Sequence, residues 1–515
     1  MHATYKNNKF ETTSCSYILE DGHYECYFEG GLINEQALRK QLEKRGVYFS
    51  SACIEKVLLE LYRFCGDDFI ALLQGKFSII IIDEEKQQLI AARDRYGIRP
   101  LYYQLVDEGV ELATELAHFK AHLDEEFHEL NMDVLKNYFS CGYVPEEDTY
   151  LKGVYQVPAG CVLRCSMADG VEITPFSDML VIEGSYHELI DEQLLYEVVT
   201  KSIHSRLPAN QVVGIFDTGK IEDLVLASIV KQAGIEVKVF SVTFGKKSRN
   251  NKSFEDTFRC RGVCAHDYWN AAVAMVSTLG IPLADPTAPL DYLLFELASK
   301  QVDVILSSNG AAVLFDAKKR WSAHFKRRSG DLIFTEADKD KMLKIEGGSW
   351  DEFIKPYLTQ ISDLDKVSRR KTLNLNTTLK GSTILKTERF AMSHGLETSF
   401  PFLDDEVLGV ASFLTLDQKR EMNLFKQTFA NHIYKSQTVG TKKGYEIPLA
   451  SWMRSDLYEA IEAVLSQEVA TEFFDTEYLL MMLAQHKKGL RDLSGRIWAV
   501  AMFIVWVSDS RKSAQ

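Results

Sequence analysis

One short stretch of the sequence carries residue types that bind phosphate groups. From Gly214 to Lys220 the chain reads G-x-x-x-x-G-K, which is the first part of a P-loop. A P-loop then needs Ser or Thr to hold magnesium, but Ile221 stands at that position. The stretch is therefore an altered P-loop, an altered loop of another kind, or a chance match.

The elements around this stretch form a βαβ pattern. An amphipathic helix over 188–207 should precede a strand at 212–216, a helix ending at Ala233 and a strand at 237–244. The apolar run 302–308 adds a strand to what should be a parallel sheet, and from about residue 350 the chain reads mainly helical. This half is predicted to be an α/β domain.

The first 180 residues read as β-rich with a few helices. Strands are predicted at 76–83, 87–94, 99–106 and 160–166, and helices at 35–46 and 54–66. The polar stretch Ser177–Ser185 is the best linker candidate. We therefore divide the chain into domains 1–183 and 184–515.

Composition excludes several function classes. The 515 residues are 46% hydrophobic and 26% charged, which is typical of a globular protein with two or three domains. A net charge of −14 argues against a nucleic-acid or anionic-membrane binder. The longest apolar run, Ile497–Val507, is too short to span a membrane. Nine cysteines without a CxxC pair argue against structural zinc, and with no visible secretory signal they predict a cytoplasmic protein.

Several segments, in order along the chain, carry a family resemblance. Residues 75–103, "GKFSIIIIDEEKQQLIAARDRYGIRPLYY", are similar to the glutaminase domain of the asparagine synthetase family, and 396–408, "LETSFPFLDDEVL", to its synthetase domain. The resemblance spans roughly residues 24 to 507. It implies a glutaminase-type α+β sandwich followed by an α/β domain with a pyrophosphate loop, a plan shared with β-lactam synthetases and lasso-peptide cyclases.

When the chain is aligned with the family, the stretch that begins at Gly214 resembles the family's pyrophosphate loop rather than a P-loop. Thr218 replaces its first Ser and Gly219 is kept, whereas Lys220 replaces a Gly. Glu222 replaces the metal-binding Asp, and Asp223 replaces a Ser. The resemblance implies that Thr218, Gly219 and Lys220 line the nucleotide site and that Glu222 is the remaining metal carboxylate. Asp223 would place a negative charge where the phosphates dock, although a helix with an acidic first turn needs no ligand at all.

A second family motif, "LSGEGADELFGGY", reads "LSSNGAAVLFDAK" at 306–318. Ser307 is kept as a nucleotide-site residue, but Asn309 replaces the proton acceptor. Ala312 replaces the magnesium-binding Asp and Val313 a Glu, and neither side chain binds a hard cation. We expect the strand ends near Thr218 and Asn309 to line the face between the two domains.

Other site residues implied by the resemblance are present. Lys442 matches the lysine that steadies the transition state and pyrophosphate, and an exposed loop lysine is the alternative interpretation. Ser241 and Thr243 lie in the strand end that receives adenine. Glu388 matches the conserved acid of the family's "VDR" and is either a proton partner or a structural carboxylate.

The resemblance also implies that glutamine hydrolysis is absent. Glutamine-hydrolysing relatives begin with Cys, whose α-amino group activates its own thiol. This chain begins Met1-His2, and Cys15 lies too close to Phe28 to replace that residue. Glu29 also replaces the Asn of the oxyanion hole, where negative charge would develop.

Three functions remain open. The first is a non-catalytic partner in a biosynthetic pathway, as a homo-oligomer or in complex with an active enzyme. The second is an ATP- and magnesium-dependent ligase that forms an amide on a small carboxylate or a peptide by adenylation, as β-lactam synthetases and lasso cyclases do. The third is a nucleotide or metabolite sensor. ATP and magnesium are expected as cofactors only in the second case.

Overall fold

The computed structural model describes residues 1–6, 9–12, 17–18, 23–49, 52–107, 109–120, 130–145, 147–177, 190–208, 211–244, 257–316, 332–433 and 447–512. The chain divides into two compact units, Met1–Asn131 with Glu146–Met179, and Met132–Pro145 with Leu180–Gln515. The predicted domain boundary at 183/184 lies outside the described residues, as does the predicted linker after Ser177.

The first unit contains two antiparallel sheets. One has the strand order β2-β1-β8-β7-β9 and the other β11-β10-β6-β5-β4-β3. The strands are β1 (His2–Lys6), β2 (Lys9–Thr12), β3 (Tyr17–Ile18), β4 (Tyr24–Leu32), β5 (Gly75–Asp83), β6 (Gln88–Arg93), β7 (Tyr102–Val106), β8 (Gly109–Ala113), β9 (Val154–Gln156), β10 (Cys161–Ser166) and β11 (Gly170–Pro175). Helices span Glu35–Glu43, Ile54–Cys65 and Leu116–Lys120, with a 3₁₀ turn at Gly66–Leu72.

Strand β5 shows why these sheets form a sandwich flanked by helices. Successive side chains of a strand point to opposite faces. Ile80 and Ile82 pack into the core shared with the other sheet, whereas Ile79 and Ile81 pack with the helix Ile54–Cys65. The six-stranded sheet is therefore buried on both faces, which accounts for the run of four isoleucines.

One predicted strand begins later than its apolar pattern indicates. The prediction was 99–106, but β7 begins at Tyr102. The buried Asp94 carboxylate accepts hydrogen bonds from the N–H groups of Ile98 (3.1 Å) and Arg99 (3.0 Å). These bonds hold the chain in a turn, so the residues before Tyr102 are not available for strand pairing.

The second unit is built on a five-stranded parallel sheet, as predicted. Its order is β14-β13-β12-β15-β16, with β12 (Val213–Phe216), β13 (Val237–Phe244), β14 (Thr257–Val263), β15 (Val304–Leu306) and β16 (Glu397–Ser399). After β12 the chain adds β13 and then β14 on one side of that strand. It later adds β15 on the other side of β12, followed by β16. A switch point therefore lies between β12 and β15, and ligands of open α/β sheets bind at the carboxyl ends of such strands.

Helices surround this sheet. They span Met132–Cys141, Glu192–His204, Ile221–Gln232, Ala265–Leu279, Ala288–Ala298, Ala311–Phe315, Glu336–Met342, Trp350–Gln360, Lys366–Asn376, Leu385–Ser393, Asp405–Phe413, Leu416–Lys419, Asn423–Phe429, Leu449–Arg454, Tyr458–Leu465, Glu468–Phe473, Thr476–Lys487 and Ser494–Lys512, with a π-helical turn at Leu379–Ile384. The apolar run Ile497–Val507 is buried within the last of these helices. None of the helices in the described ranges combines the length and apolarity needed to cross a membrane.

Candidate functional site

The switch point brings together the two loops singled out from the sequence. After β12 the chain makes the turn Asp217–Lys220 and enters the helix Ile221–Gln232, and after β15 it passes through Ser307–Gly310 into a short helix. Gly219 has a φ of +86°, a conformation that favours glycine. Ser308 Oγ donates to Asp223 Oδ1 at 2.5 Å, so the second loop contacts the first turn of the helix Ile221–Gln232.

Asp223 fills the turn with its own carboxylate. The side chain is only 1% exposed. Its Oδ2 accepts hydrogen bonds from the Thr218 backbone N–H (2.9 Å) and the Thr218 hydroxyl (2.6 Å). The next backbone N–H, of Gly219, donates to Asp217 Oδ1 at 2.9 Å. The backbone N–H groups of Thr218 and Gly219 are thus satisfied by carboxylates of the chain itself.

Lys220 and Glu222 occupy different environments. The Lys220 side chain is exposed, whereas Glu222 is buried in the first turn of the helix Ile221–Gln232. Burial raises the pKa of the Glu222 carboxyl to about 7, the charge of Asp223 adds to the increase, and Lys220 opposes it. Glu222 is therefore a poor cation ligand below neutral pH, since a metal must first displace its proton.

We expect Glu222→Gln to make stability less dependent on pH. An unfolded Glu has a pKa of about 4.3, and the folded value is about 7. The stability contributed by the protonated group is therefore complete at low pH and is lost as the pH rises through 7. Relative to wild type, the variant should gain about 2–3 kcal/mol in unfolding free energy between pH 5 and pH 8. Urea unfolding at both pH values measures this, and an identical pH dependence would contradict it.

The predicted adenine-side residues lie at the carboxyl end of β13. Ser241 is buried, and Thr243 lies two residues further along the strand. Thr243 Oγ1 is buried and finds no hydrogen-bond acceptor or donor among the described residues. Ser307 is bonded to the neighbouring strand and to its own loop, because its N–H donates to Ser399 O in β16 (2.9 Å) and its Oγ accepts from the Asn309 N–H (3.2 Å).

The second motif, residues 306–318, contains apolar side chains and lies next to a buried lysine. Val313 is buried, and Ala312 lies beside it in the helix Ala311–Phe315. Asp316 interacts electrostatically with Lys371, whose buried Nζ donates to Leu314 O at 3.2 Å. Burial lowers the pKa of Lys371 well below its usual value. We did not identify Lys371 from the sequence, although its basic neighbours in the helix Lys366–Asn376 were a visible signal.

Glu388 is bound within the protein. This buried carboxylate accepts a short hydrogen bond from Thr398 Oγ1 in β16. Asn309 Nδ2 donates to Thr387 Oγ1 at 2.9 Å, so the helix Leu385–Ser393 reaches the second loop. The structure therefore brings Glu388 near this region, bonded to Thr398. Lys442 lies outside the described residues.

The same helix carries a buried ion cluster that we did not predict. Lys386 Nζ lies 2.6 Å from both Asp285 Oδ2 and Asp291 Oδ2. Asp285 also accepts from the Thr287 N–H (2.8 Å). The lysine was visible beside Glu388 in the sequence, but its partners lie about a hundred positions earlier in the chain, and no local pattern connects them.

In the first unit, Glu29, which replaces the oxyanion-hole Asn of the family, forms an ion pair. Glu29 Oε1 lies 3.4 Å from Arg99 Nη1. Burial raises the pKa of the thiols of Cys26, Cys53 and Cys165, the last to about 11. These three thiols are therefore protonated at neutral pH. Cys15 lies outside the described residues.

Comparison with known proteins identifies the family of the chain. The family described as "Asparagine synthase" matches residues 194–508, and the family described as "Glutamine amidotransferase domain" matches residues 15–177. Asparagine synthetase (glutamine-hydrolyzing) 1 of Bacillus subtilis is 25% identical over 549 residues, covering 95% of this chain and 86% of the relative. Amidase chry2 of Gibberella zeae is 29% identical over 216 residues, covering 41% and 31%.

A solved structure, the glutamine phosphoribosylpyrophosphate amidotransferase from B. subtilis complexed with ADP and GMP, shows 15% identity over 47% of this chain and 50% of that chain, with a TM-score of 0.23. The synthase match alone covers more than half of the 515 residues, and it confirms the resemblance identified from the sequence. The chain belongs to the asparagine synthase family.

Proposed function

We propose that this chain is a family member without ATP-dependent amide synthesis, acting as a non-catalytic partner in a biosynthetic pathway. The observation that supports this most strongly is the Asp223 carboxylate, which accepts the hydrogen bonds that the loop would offer to pyrophosphate. Backbone N–H groups at a helix N-terminus bind anions only when they are available. In the turn before the helix Ile221–Gln232, the N–H groups of Thr218 and Gly219 are already bonded to carboxylates of the chain itself.

The charges in the turn are also unfavourable for a triphosphate. Asp217 and Asp223 lie within seven residues of each other, and the exposed Lys220 is the cation within the turn. Two like charges 4 Å apart near a protein surface repel by about 4 kcal/mol. Lys220 also interacts electrostatically with Glu222 and Asp291, so its charge is already partly compensated.

The residues present do not fit the magnesium that the resemblance implies. Magnesium binds carboxylate oxygens and water in near-octahedral geometry. Ala312 and Val313 offer no oxygen ligand from their side chains, and the Glu222 carboxyl is protonated over much of the range below pH 7. We therefore derive no catalytic step through magnesium or ATP for this chain.

Loss of glutamine hydrolysis is part of the same proposal. Glu29 brings a carboxylate, paired with Arg99, to the position that the resemblance assigns to an amide donor. A carboxylate opposes the negative charge that develops on the oxygen of a tetrahedral intermediate. The high pKa values of Cys26, Cys53 and Cys165 leave these thiols without nucleophilic character at neutral pH.

The partner in this proposal is a second copy of the chain or an active biosynthetic enzyme. A net charge of −14 disfavours nucleic acid in that role. The cytoplasm is the compartment we propose, since nine cysteines without a CxxC pair suit a reducing environment.

A second candidate is an amide ligase that adenylates a small carboxylate or a peptide. The buried Oγ1 of Thr243, which has no hydrogen-bond partner among the described residues, favours it, because a ligand at the end of β13 would satisfy that hydroxyl. This candidate requires Asp223 to leave the turn and a cation to replace the lost carboxylates. The first change breaks the hydrogen bonds that Thr218 and Ser308 already donate to Asp223, and so we rank this candidate second.

Titration with magnesium-ATP distinguishes the two candidates. We expect binding no tighter than about millimolar, so that 1 mM nucleotide raises the melting temperature by no more than about 1 °C. We also expect no AMP or pyrophosphate with any carboxylate offered. Isothermal titration is run on the wild type, Lys220→Ala and Lys442→Ala. Micromolar binding that requires magnesium and is lost in either variant would contradict the proposal and favour the ligase.

A further inference from the structure

Three potential metal ligands converge on the outer face of the first unit's sheet β2-β1-β8-β7-β9. Strands β1 and β8 pair antiparallel with Thr4 opposite Glu111, so His2, two residues from Thr4, is a diagonal neighbour of Glu111 on the same face. His118 comes from the short helix Leu116–Lys120, which follows β8. Three separate elements therefore supply the cluster.

The ligand atoms are already close together. His2 Nε2 lies 3.1 Å and His118 Nε2 lies 2.8 Å from the same oxygen, Glu111 Oε1. All three atoms lie within 4.8 Å of one another. Among the residues that the structure describes, this is the one group of three or more His, Cys, Asp or Glu side chains with such spacing.

These separations are near those of a coordinated cation. Zinc bonds of about 2.0–2.1 Å in a tetrahedron place neighbouring ligand atoms about 3.3 Å apart. The two observed distances are shorter by a few tenths of an ångström, as expected while hydrogen bonds join the atoms. Small rotations of the two imidazoles would open the space for an ion.

The cluster is reachable from solvent. The side chains of His2, Glu111 and His118 are 16%, 15% and 27% exposed. Two imidazoles and one carboxylate suit first-row transition cations rather than calcium or magnesium, which prefer oxygen ligands. We propose that His2, Glu111 and His118 bind one divalent first-row transition cation such as Zn²⁺, with solvent completing the coordination and the ion joining β1, β8 and the following helix.

Zinc titration of the full chain near pH 7.5 tests this proposal. We expect one zinc ion per chain, with affinity at least about tenfold weaker in Glu111→Gln and in His118→Ala, because even changes outside the ligand set cost about 10–100-fold. Glu111→Gln keeps the side chain's size, so the fold should persist. His204→Ala, at an exposed histidine in the helix Glu192–His204, is the matched control and should bind as the wild type does.

Cobalt absorption separates this site from cysteine ligation. Bound cobalt should show no thiolate charge-transfer band, and its visible bands should be lost in Glu111→Gln while the melting temperature without metal stays close to that of the wild type. A thiolate band, no binding at all, or unchanged zinc affinity in both cluster variants would overturn the proposal.

Discussion

Replacing Lys386 by methionine should lower the free energy of unfolding by about 3–5 kcal/mol, because it leaves buried carboxylates without their cation. The ammonium group is buried and lies 2.6 Å from Asp285 Oδ2 and 2.6 Å from Asp291 Oδ2. Burial opposes the charged lysine, but the two carboxylates outweigh it and raise its pKa above the usual value. Methionine has a similar volume, so the loss would come from charge rather than from a cavity.

The two carboxylates in this cluster are not equivalent. Asp285 accepts additional hydrogen bonds from Thr287, and despite its burial the nearby lysine holds the pKa of its carboxyl below the usual value. Burial instead raises the pKa of Asp291, against the pull of the same lysine. Adding Asp291→Asn to Lys386→Met should therefore restore part of the lost stability, since it removes the carboxylate that depends most on the lysine.

An exposed lysine provides the matched control for Lys386→Met. Lys300 pairs with Glu296 at 3.1 Å, with side-chain exposures of 62% and 50%. Exposed pairs of this kind contribute about 0.2–1 kcal/mol, so Lys300→Met should change little. Urea unfolding followed by circular dichroism compares the variants. A Lys386→Met protein within 1 kcal/mol of wild type would show that the cluster does not stabilise the fold.

The sequence was sufficient to predict elements whose pattern is local. The run 76–83 and the order of strand, turn and helix from Val213 to Gln232 are both present, because alternation and apolar periodicity are properties of neighbouring residues. The parallel sheet followed from the same pattern. The predicted start of β7 was three residues too early, because a single buried carboxylate, Asp94, holds the preceding turn.

Contacts between distant positions could not be predicted in this way. We described Asp223 as a charge that would repel phosphates, but not as the acceptor for Thr218 and Ser308. Ser308 lies 85 positions further along the chain and meets Asp223 only because β12 and β15 are neighbours in the sheet. The cluster of His2, Glu111 and His118 was missed for the same reason, since strand register brings its members together.

Replacing Asp223 by serine should create a pyrophosphate site that the wild type lacks. The change removes a buried charge from the turn and frees the Thr218 N–H, while a serine hydroxyl at the helix N-terminus can donate to an anion. Removing one like charge about 5 Å from a ligand charge is worth about 3 kcal/mol at the effective dielectric constant of a protein surface, or about 100-fold in affinity. Lost hydrogen bonds to the carboxylate should at the same time lower stability by about 1–3 kcal/mol.

Two further variants distinguish the effect of the Asp223 charge from the effect of a side chain that accepts the hydrogen bonds of Thr218. Asp223→Asn removes the charge but keeps an acceptor in place, so it should gain less affinity for pyrophosphate than Asp223→Ser. Asp340→Ser removes an exposed charge in the helix Glu336–Met342 and should bind as weakly as the wild type. Isothermal titration with pyrophosphate, with and without magnesium, measures all four proteins. A folded Asp223→Ser protein that still binds no pyrophosphate would show that the loop geometry, and not the carboxylate within it, prevents nucleotide binding.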